Sequence, residues 1–170
     1  MRTSDSDSPV TDESRITAAE YRRVLAHLPT GVTVLTAFDG ERTPTGMAAN
    51  SFASVSLEPP MILVCPAKSS TTWPAIRDAG RFCVNFMASH HAELSVRFAR
   101  RDVERFAGVG WHARPAGPAL DDAIAWLQCE ISAEHDAGDH TVVIAAVTEL
   151  EASPEGLPLV FFKGRYGTFS

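Results

Sequence analysis

The chain lacks most of the features that would assign it quickly. Its 170 residues include three cysteines, Cys65, Cys83 and Cys129, an odd number without C-x-x-C spacing. A disulfide framework is excluded on that count, and each cysteine lies in an apolar stretch (MILVC, FCVNF, WLQCEI), so all three read as buried thiols. No apolar run approaches the ~18 residues of a membrane-spanning helix, and the N-terminus lacks the apolar centre of a signal peptide. The expectation is a soluble, cytoplasmic protein without a membrane partner. Positive charge is scarce: 15 Lys and Arg stand against 21 Asp and Glu, a net charge of −6. That argues against nucleic acid as a partner but leaves room for one local basic pocket. The six histidines show no H-E-x-x-H or paired Cys/His spacing, so no metal site is expected. G-x-x-x-x-G-K-[ST], G-x-G-x-x-G and G-x-S-x-G are all absent, which removes P-loop, dinucleotide-fold and serine-hydrolase chemistry.

What is present is ordinary globular composition, with 45% apolar and 21% charged residues. The length suits one domain and a core that needs no staples. Residues 1–15 hold mostly Ser, Asp and Thr and read as a disordered tail, leaving 16–170 as a single folded domain. Thr17-Ala18-Ala19-Glu20 matches a capping box, and Tyr21, Val24, Leu25 and Leu28 follow as one apolar stripe until Pro29. Strand patterns then dominate: 32–38, a turn at Asp39-Gly40, 45–57, 61–65, an alternating 127–134 with one wet face, a nearly apolar 140–150 that reads as covered on both faces, and 159–163. Helices are expected over 70–79, closed by Gly80, and 90–101, with Ser89 as N-cap. Residues 102–118 read as loop. Many strands, few helices and no βαβ alternation predict a mostly β fold, an antiparallel barrel.

The stretch from Thr45 to Leu57 is unusual for a strand. Gly46, Ala48, Ala49 and Ala53 would let a flat ligand approach the backbone, while Asn50, Ser51, Ser54 and Ser56 could hydrogen-bond it; an edge strand with a solvated face explains the same pattern. Gly138-Asp139-His140 looks like part of an acid/base pair. Neighbours on a strand face opposite ways, however, so Asp139 is not expected to orient His140, and spacing alone gives a turn followed by a strand-edge histidine.

Five segments in order, PTGVTVLTA (29–37), GMAANSFASVSLEPPMILVC (46–65), RFCVNF (81–86), GDH (138–140) and PLVFFKGRYG (158–167), resemble the short-chain flavin reductases, the reductase halves of two-component flavin-dependent monooxygenases. The match spans residues 17–169. The resemblance implies a split β-barrel of the FMN-binding, Greek-key type, assembled as a homodimer. It implies that FMN or FAD is reduced by NADH, favoured over NADPH, and passed by diffusion to a separate oxygenase. The flavin contacts implied are Thr30, Gly31 and Thr33 in the first turn, Gly46, Met47, Ala48, Ala49, Asn50, Ser51, Phe52, Ser54 and Ser56 along the unusual strand, and Lys68 and Ser69 beyond it. His140, Phe162, Arg165 and Tyr166 are implied at the nicotinamide nucleotide. No residue is implied as an acid/base catalyst, because stacking two rings suffices for hydride transfer. The sequence departs from the resemblance at Ala145, where the family carries glycine. Competing readings are a non-catalytic flavin- or haem-binding barrel and an oxidase of the pyridoxamine-phosphate type, whose mark would be a basic pocket absent from 46–56.

Overall fold

A computed structural model describes residues 16–169; the expected tail over 1–15 lies outside the described residues. Helix α1 (Ala18–Leu25) begins at the predicted capping box, in which Glu20 N–H donates to Thr17 Oγ1 and Thr17 N–H donates to the Glu20 carboxylate. Strands β1 (Thr30–Gly31), β2 (Thr33–Phe38), β3 (Pro44–Ala49), β4 (Phe52–Leu57) and β5 (Pro60–Val64) follow. Helix α2 (Trp73–Ala79) ends at Gly80, whose φ of 68° makes it the left-handed cap expected there. After β6 (Arg81–Phe86) come a single 3-10 turn at Ser89–His91 and helix α3 (Ala92–Ala99). Short β7 (Trp111–His112) and β8 (Ala119–Leu120) lead to the long hairpin of β9 (Ala125–Ala137) and β10 (His140–Ala152), and β11 (Leu159–Phe162) and β12 (Arg165–Thr168) finish the chain.

Seven strands form one antiparallel sheet in the order β3-β2-β6-β9-β10-β5-β4. Its two edge strands, β3 and β4, are consecutive in sequence, and only Asn50 and Ser51 separate them. The chain thus steps across the open seam of a barrel whose edges do not pair. The predicted antiparallel barrel class is the observed one. Inside it, Leu35, Ile62, Val64, Phe82, Val84 and Val143 pack with Trp73 and Ile76 of α2. A second cluster joins Val32, Val34, Met87, Leu120 and Leu159 to Phe98 of α3. Helix α3 reaches β3 because Gly46 has no side chain: a Cβ there would stand 2.7 Å from Leu35 O and 3.0 Å from the Phe98 ring.

Several local expectations fail for tertiary reasons. The 45–57 stretch is two strands, since the chain must leave one sheet edge for the other at Asn50–Ser51. The apolar stripe of α1 is not buried in its own chain; Tyr21, Val24, Leu25 and Leu28 are all exposed. The wet face of β9 is interrupted at Gln128, which is buried and accepts the Ala116 N–H at 2.8 Å. Strand β10 is covered on both faces only in its first half, and it runs out exposed from Thr148 to Ala152. Ser89 lies in the 3-10 turn, and the ring of His91 caps the Ala88 N–H in its place. Cys83 and Cys129 are fully buried as expected, and burial pushes both thiols up to about 12; Cys65 is only half-buried.

Candidate functional site

Where β2, β6 and β11 meet, three backbone bonds close a ring: Val32 N–H to Leu159 O, Leu159 N–H to Met87 O, and Met87 N–H to Val32 O, at 3.2, 2.8 and 3.0 Å. This junction floors a cleft of about 450 Å³ walled by Leu28, Pro29, Phe52 and Phe86, with Thr30, Gly31, Thr33 and Asn50 at its sides. The Phe52 and Phe86 rings meet edge to face at 5.1 Å, which fixes one wall. The Thr30 hydroxyl is buried without a hydrogen-bond partner. Apolar walls with a free hydroxyl and an amide suit a flat heteroaromatic ring carrying polar edges.

A second, smaller cleft of about 170 Å³ lies beside β3, where Met47 and Ala48 face Ser69, Ser70, Thr71, Thr72, Arg101 and Arg105. Ser70 Oγ accepts the N–H groups of Thr72 and Trp73 at 3.3 and 3.1 Å, folding the hydroxyl run into a tight turn before α2. Arg101 donates to Ser69 O at 3.2 Å and Arg105 to Thr72 Oγ1 at 2.8 Å, so both guanidinium groups are held at the rim. Hydroxyls facing two fixed guanidinium groups are the chemistry of a phosphate site. Arg101, Arg105, Ser70, Thr71 and Thr72 escaped the sequence reading. The run Ser-Ser-Thr-Thr before a helix carrying Pro74 in its first turn was its visible signal; the arginines sit 30 residues further on and meet it only through the fold.

Of the flavin candidates, Thr30, Gly31, Thr33, Asn50 and Phe52 line the first cleft and Met47, Ala48 and Ser69 the second. The others have different positions. Gly46 is buried under α3. Ala49 is buried, and its carbonyl accepts the Thr33 hydroxyl at 2.6 Å. Ser51 Oγ accepts Cys65 N–H at 3.0 Å and donates to Cys65 O at 3.2 Å, a clasp between the start of β4 and the end of β5. Ser54 and Ser56 line neither cleft. Lys68 turns away from the second cleft and pairs with Asp136.

Phe162, Arg165 and Tyr166 come together in a third cleft of about 650 Å³, with Pro29 and Val160. Pro29 belongs to the first and third clefts alike, so the two adjoin there. Tyr166 packs on Phe161 at 5.3 Å, and partial burial pushes its hydroxyl pKa up. His140 does not line this cleft: it opens β10 at the hairpin tip, bridged to Ala67. The expectation that Asp139 cannot orient it is overturned. Asp139 lies in the turn and not on the strand, and its Oδ1 stands 2.7 Å from His140 Nδ1. Ala145 is fully buried among Ile62, Val64 and Val143, so its methyl faces the core. His90, His91 and Asp122 also cluster, but His91 Nδ1 accepts the Ala88 N–H, which leaves Nε2 as a donor and not a metal ligand.

Residues 25–170 match the family model of the flavin reductase like domain. A flavin reductase of Pseudomonas putida is 40% identical over 151 residues, which cover 88% of this chain and 89% of that protein. The reductase subunit HsaB of a flavin-dependent monooxygenase from Rhodococcus jostii (strain RHA1) is 42% identical over 147 residues, 86% of this chain and 75% of that one. The crystal structure of the Streptomyces globisporus NADH:FAD oxidoreductase SgcE6, in complex with NAD and FAD fragments, superposes with a TM-score of 0.84 at 32% identity, covering 89% of this chain and 92% of its own.

Proposed function

The chain belongs to the flavin reductase like family, and on that premise we propose that it oxidises NADH, reduces FMN or FAD, and releases the reduced flavin to a separate oxygenase. The observation that carries this reading is a pair of clefts, one apolar with the free Thr30 hydroxyl and one beside β3 lined by hydroxyls and two arginines. A ring between Phe52, Phe86 and Leu159 and a phosphate between Ser69, Arg101 and Arg105 would divide a flavin between them. The group supplies the chemistry when bound, accepting a hydride at one face of its ring and carrying the electrons away.

The chain's own part is binding, orientation and exclusion of water. Phe52 and Phe86 hold a wall, Thr30 and Asn50 offer hydrogen bonds to ring edges, and Arg101 and Arg105 neutralise phosphate charge. The third cleft offers Phe162 and Tyr166 as flat partners and Arg165 as a cation for the nucleotide, next to the first cleft through Pro29. His140 lines none of these clefts, and its assignment to the nicotinamide side rests on the family resemblance alone. Holding both rings in order supplies most of what hydride transfer needs, and no side-chain base enters. The basic pocket formed by Arg101 and Arg105 is the feature sought for a pyridoxal-phosphate oxidase; we read it as the flavin phosphate site, a reading that family membership supports.

We also place two copies in the working enzyme. Strand β2 is covered within its own chain. Exposed apolar side chains stand on α1 and on edge strand β4, where Leu57 is 91% exposed, as well as at Leu150, Leu157 and Phe169. That much apolar surface on a small protein fits a subunit interface. The test is a steady-state matrix of NADH or NADPH against FMN or FAD. Turnover requires added flavin and is faster with NADH; oxidation of NADH at an equal rate without flavin would overturn the reading.

A further inference from the structure

The small sheet β1-β11-β12 carries a flat apolar row that ends in two cations. Val160 pairs with Gly31 on one side and Gly167 on the other, and a Cβ added at either glycine would meet nothing within 4 Å. A flat ring can therefore lie on this row. Two residues along the same strand face, Phe162 pairs with Arg165. Beyond them the chain turns through Lys163 and Gly164, and the Lys163 ammonium stands 5.3 Å from the centre of the Phe162 ring. Lys163 and Arg165 both line the third cleft, and no carboxylate side chain is among its described lining residues. On a chain of net charge −6, such a cleft is a local exception that favours an anion. The turn also holds its lysine against local preference. Lys163 and Gly164 take φ values of 48° and 76°, the left-handed pair of a two-residue hairpin turn whose first position favours Asn, Asp or Gly. Lys163 N–H donates to Ala26 O at 3.1 Å, which fixes the turn to the end of α1. Residues kept in such a conformation cluster where their side chains are used.

We propose that Lys163 sets the nucleotide specificity of the third cleft: Arg165, beside the flat row, takes the pyrophosphate, and the Lys163 ammonium takes a further phosphate, so that NADPH is a second reductant beside NADH. The proposal rests on the reading of the third cleft as the nucleotide site. The adenosine 2′-phosphate is the one group that separates NADPH from NADH, and it lies away from the ring that gives up the hydride. NADPH and a proton reduce the flavin and leave NADP+, just as NADH leaves NAD+. A lysine is a compact charge on a flexible stem, which suits a single phosphate without imposing a forked geometry. Its contact with the Phe162 ring is exposed and weak, so leaving the ring for a phosphate costs little. Phe162 is 42% exposed, which keeps the cation in water and makes its attraction modest and sensitive to salt. NADH therefore stays the faster substrate, while NADPH gains affinity from a charge that NADH does not use.

The test joins steady-state kinetics with each nucleotide to calorimetric titration with 2′,5′-ADP and with 5′-AMP, two probes that differ only in the 2′-phosphate. In the wild type NADPH supports turnover, 2′,5′-ADP binds about three- to tenfold more tightly than 5′-AMP, and high salt shrinks that margin. Lys163→Asn gives the turn a residue it favours, so Tm holds or rises. The same variant erases the margin between the probes and lowers kcat/KM for NADPH about three- to tenfold, with that for NADH changed by less than about twofold. Lys163→Arg restores both. Arg23→Gln, an equal loss of charge on α1 outside the cleft, leaves the margin intact. No turnover with NADPH, equal binding of the two probes in the wild type, equal losses for both nucleotides in Lys163→Asn, or the same loss in Arg23→Gln would overturn the role of Lys163 alone. Unchanged KM values for both nucleotides in the double variant Lys163→Asn with Arg165→Ala, beside probes that do not bind, would overturn the reading of the third cleft and the proposal with it.

Discussion

Strands β3 and β4 are cut from one stretch of small and hydroxyl residues, yet the fold treats them in opposite ways. In β3, Gly46 and Ala49 are buried and Met47 and Ala48 line the phosphate-sized cleft. In β4, Ala53, Ser54, Val55 and Leu57 are exposed on a free sheet edge, and Phe52 alone reaches a cleft. The same composition therefore serves two physical needs. Smallness in β3 lets α3 approach the backbone and leaves room for the cleft beside it, while hydroxyls in β4 keep an exposed edge wet. The difference separates residues whose loss unfolds the site from residues whose loss changes only kinetics.

The largest effect is expected at Gly46. A Val side chain would have to displace Leu35 O or the Phe98 ring, and Gly46→Val should cost about 1–3 kcal/mol, a fall in Tm of about 2–12 °C. Differential scanning calorimetry decides it, and an unchanged Tm would mean α3 does not seat on β3. Next, Arg101→Ala with Arg105→Ala should raise the KM for FMN about ten- to a hundredfold while leaving that for riboflavin, which has no phosphate, nearly unchanged. Equal losses for both flavins would move the phosphate elsewhere.

Smaller effects sharpen the contrast within β4. Ser51→Ala leaves both polar groups of Cys65 without their clasp and should cost about 1 kcal/mol in urea unfolding, whereas Ser54→Ala should fall within about 0.5 kcal/mol. Equal costs would erase the distinction. Smallest is the pH response of His91. Burial lowers its pKa first, with His90 adding to the effect. A histidine harder to protonate when folded binds its proton more readily when unfolded. Its penalty is absent above the unfolded value of 6.5 and grows as pH falls below it, by less than about 1 kcal/mol over the first pH unit. His91→Asn should flatten that part of a Tm-against-pH curve, and an unchanged slope would exclude His91 as its source.

Much of this was legible in the sequence, and the residues that were not have a common reason. The capping box at Thr17, the Gly80 stop and the GDH turn are local, and they appear where the pattern puts them. The hydroxyl of Ser51 reads as a ligand contact, because nothing in the sequence shows that Cys65 lies against it. Arg101 and Arg105 were invisible as site residues until α3 and its following loop folded back onto Ser69–Thr72. Strand alternation misleads at Asp139 because the turn, and not the strand, holds it. Local chemistry survives translation into structure; roles that depend on a neighbour distant in sequence do not.

The central claim is that flavin is a turned-over substrate whose reduced form leaves. Its most direct test is an anaerobic mixture of catalytic enzyme with a large excess of NADH and FAD or FMN, followed by flavin colour. We expect bleaching of all the flavin present, many equivalents per chain, with one NADH consumed for each. Bleaching that halts at one flavin per chain, or none at all, would contradict it.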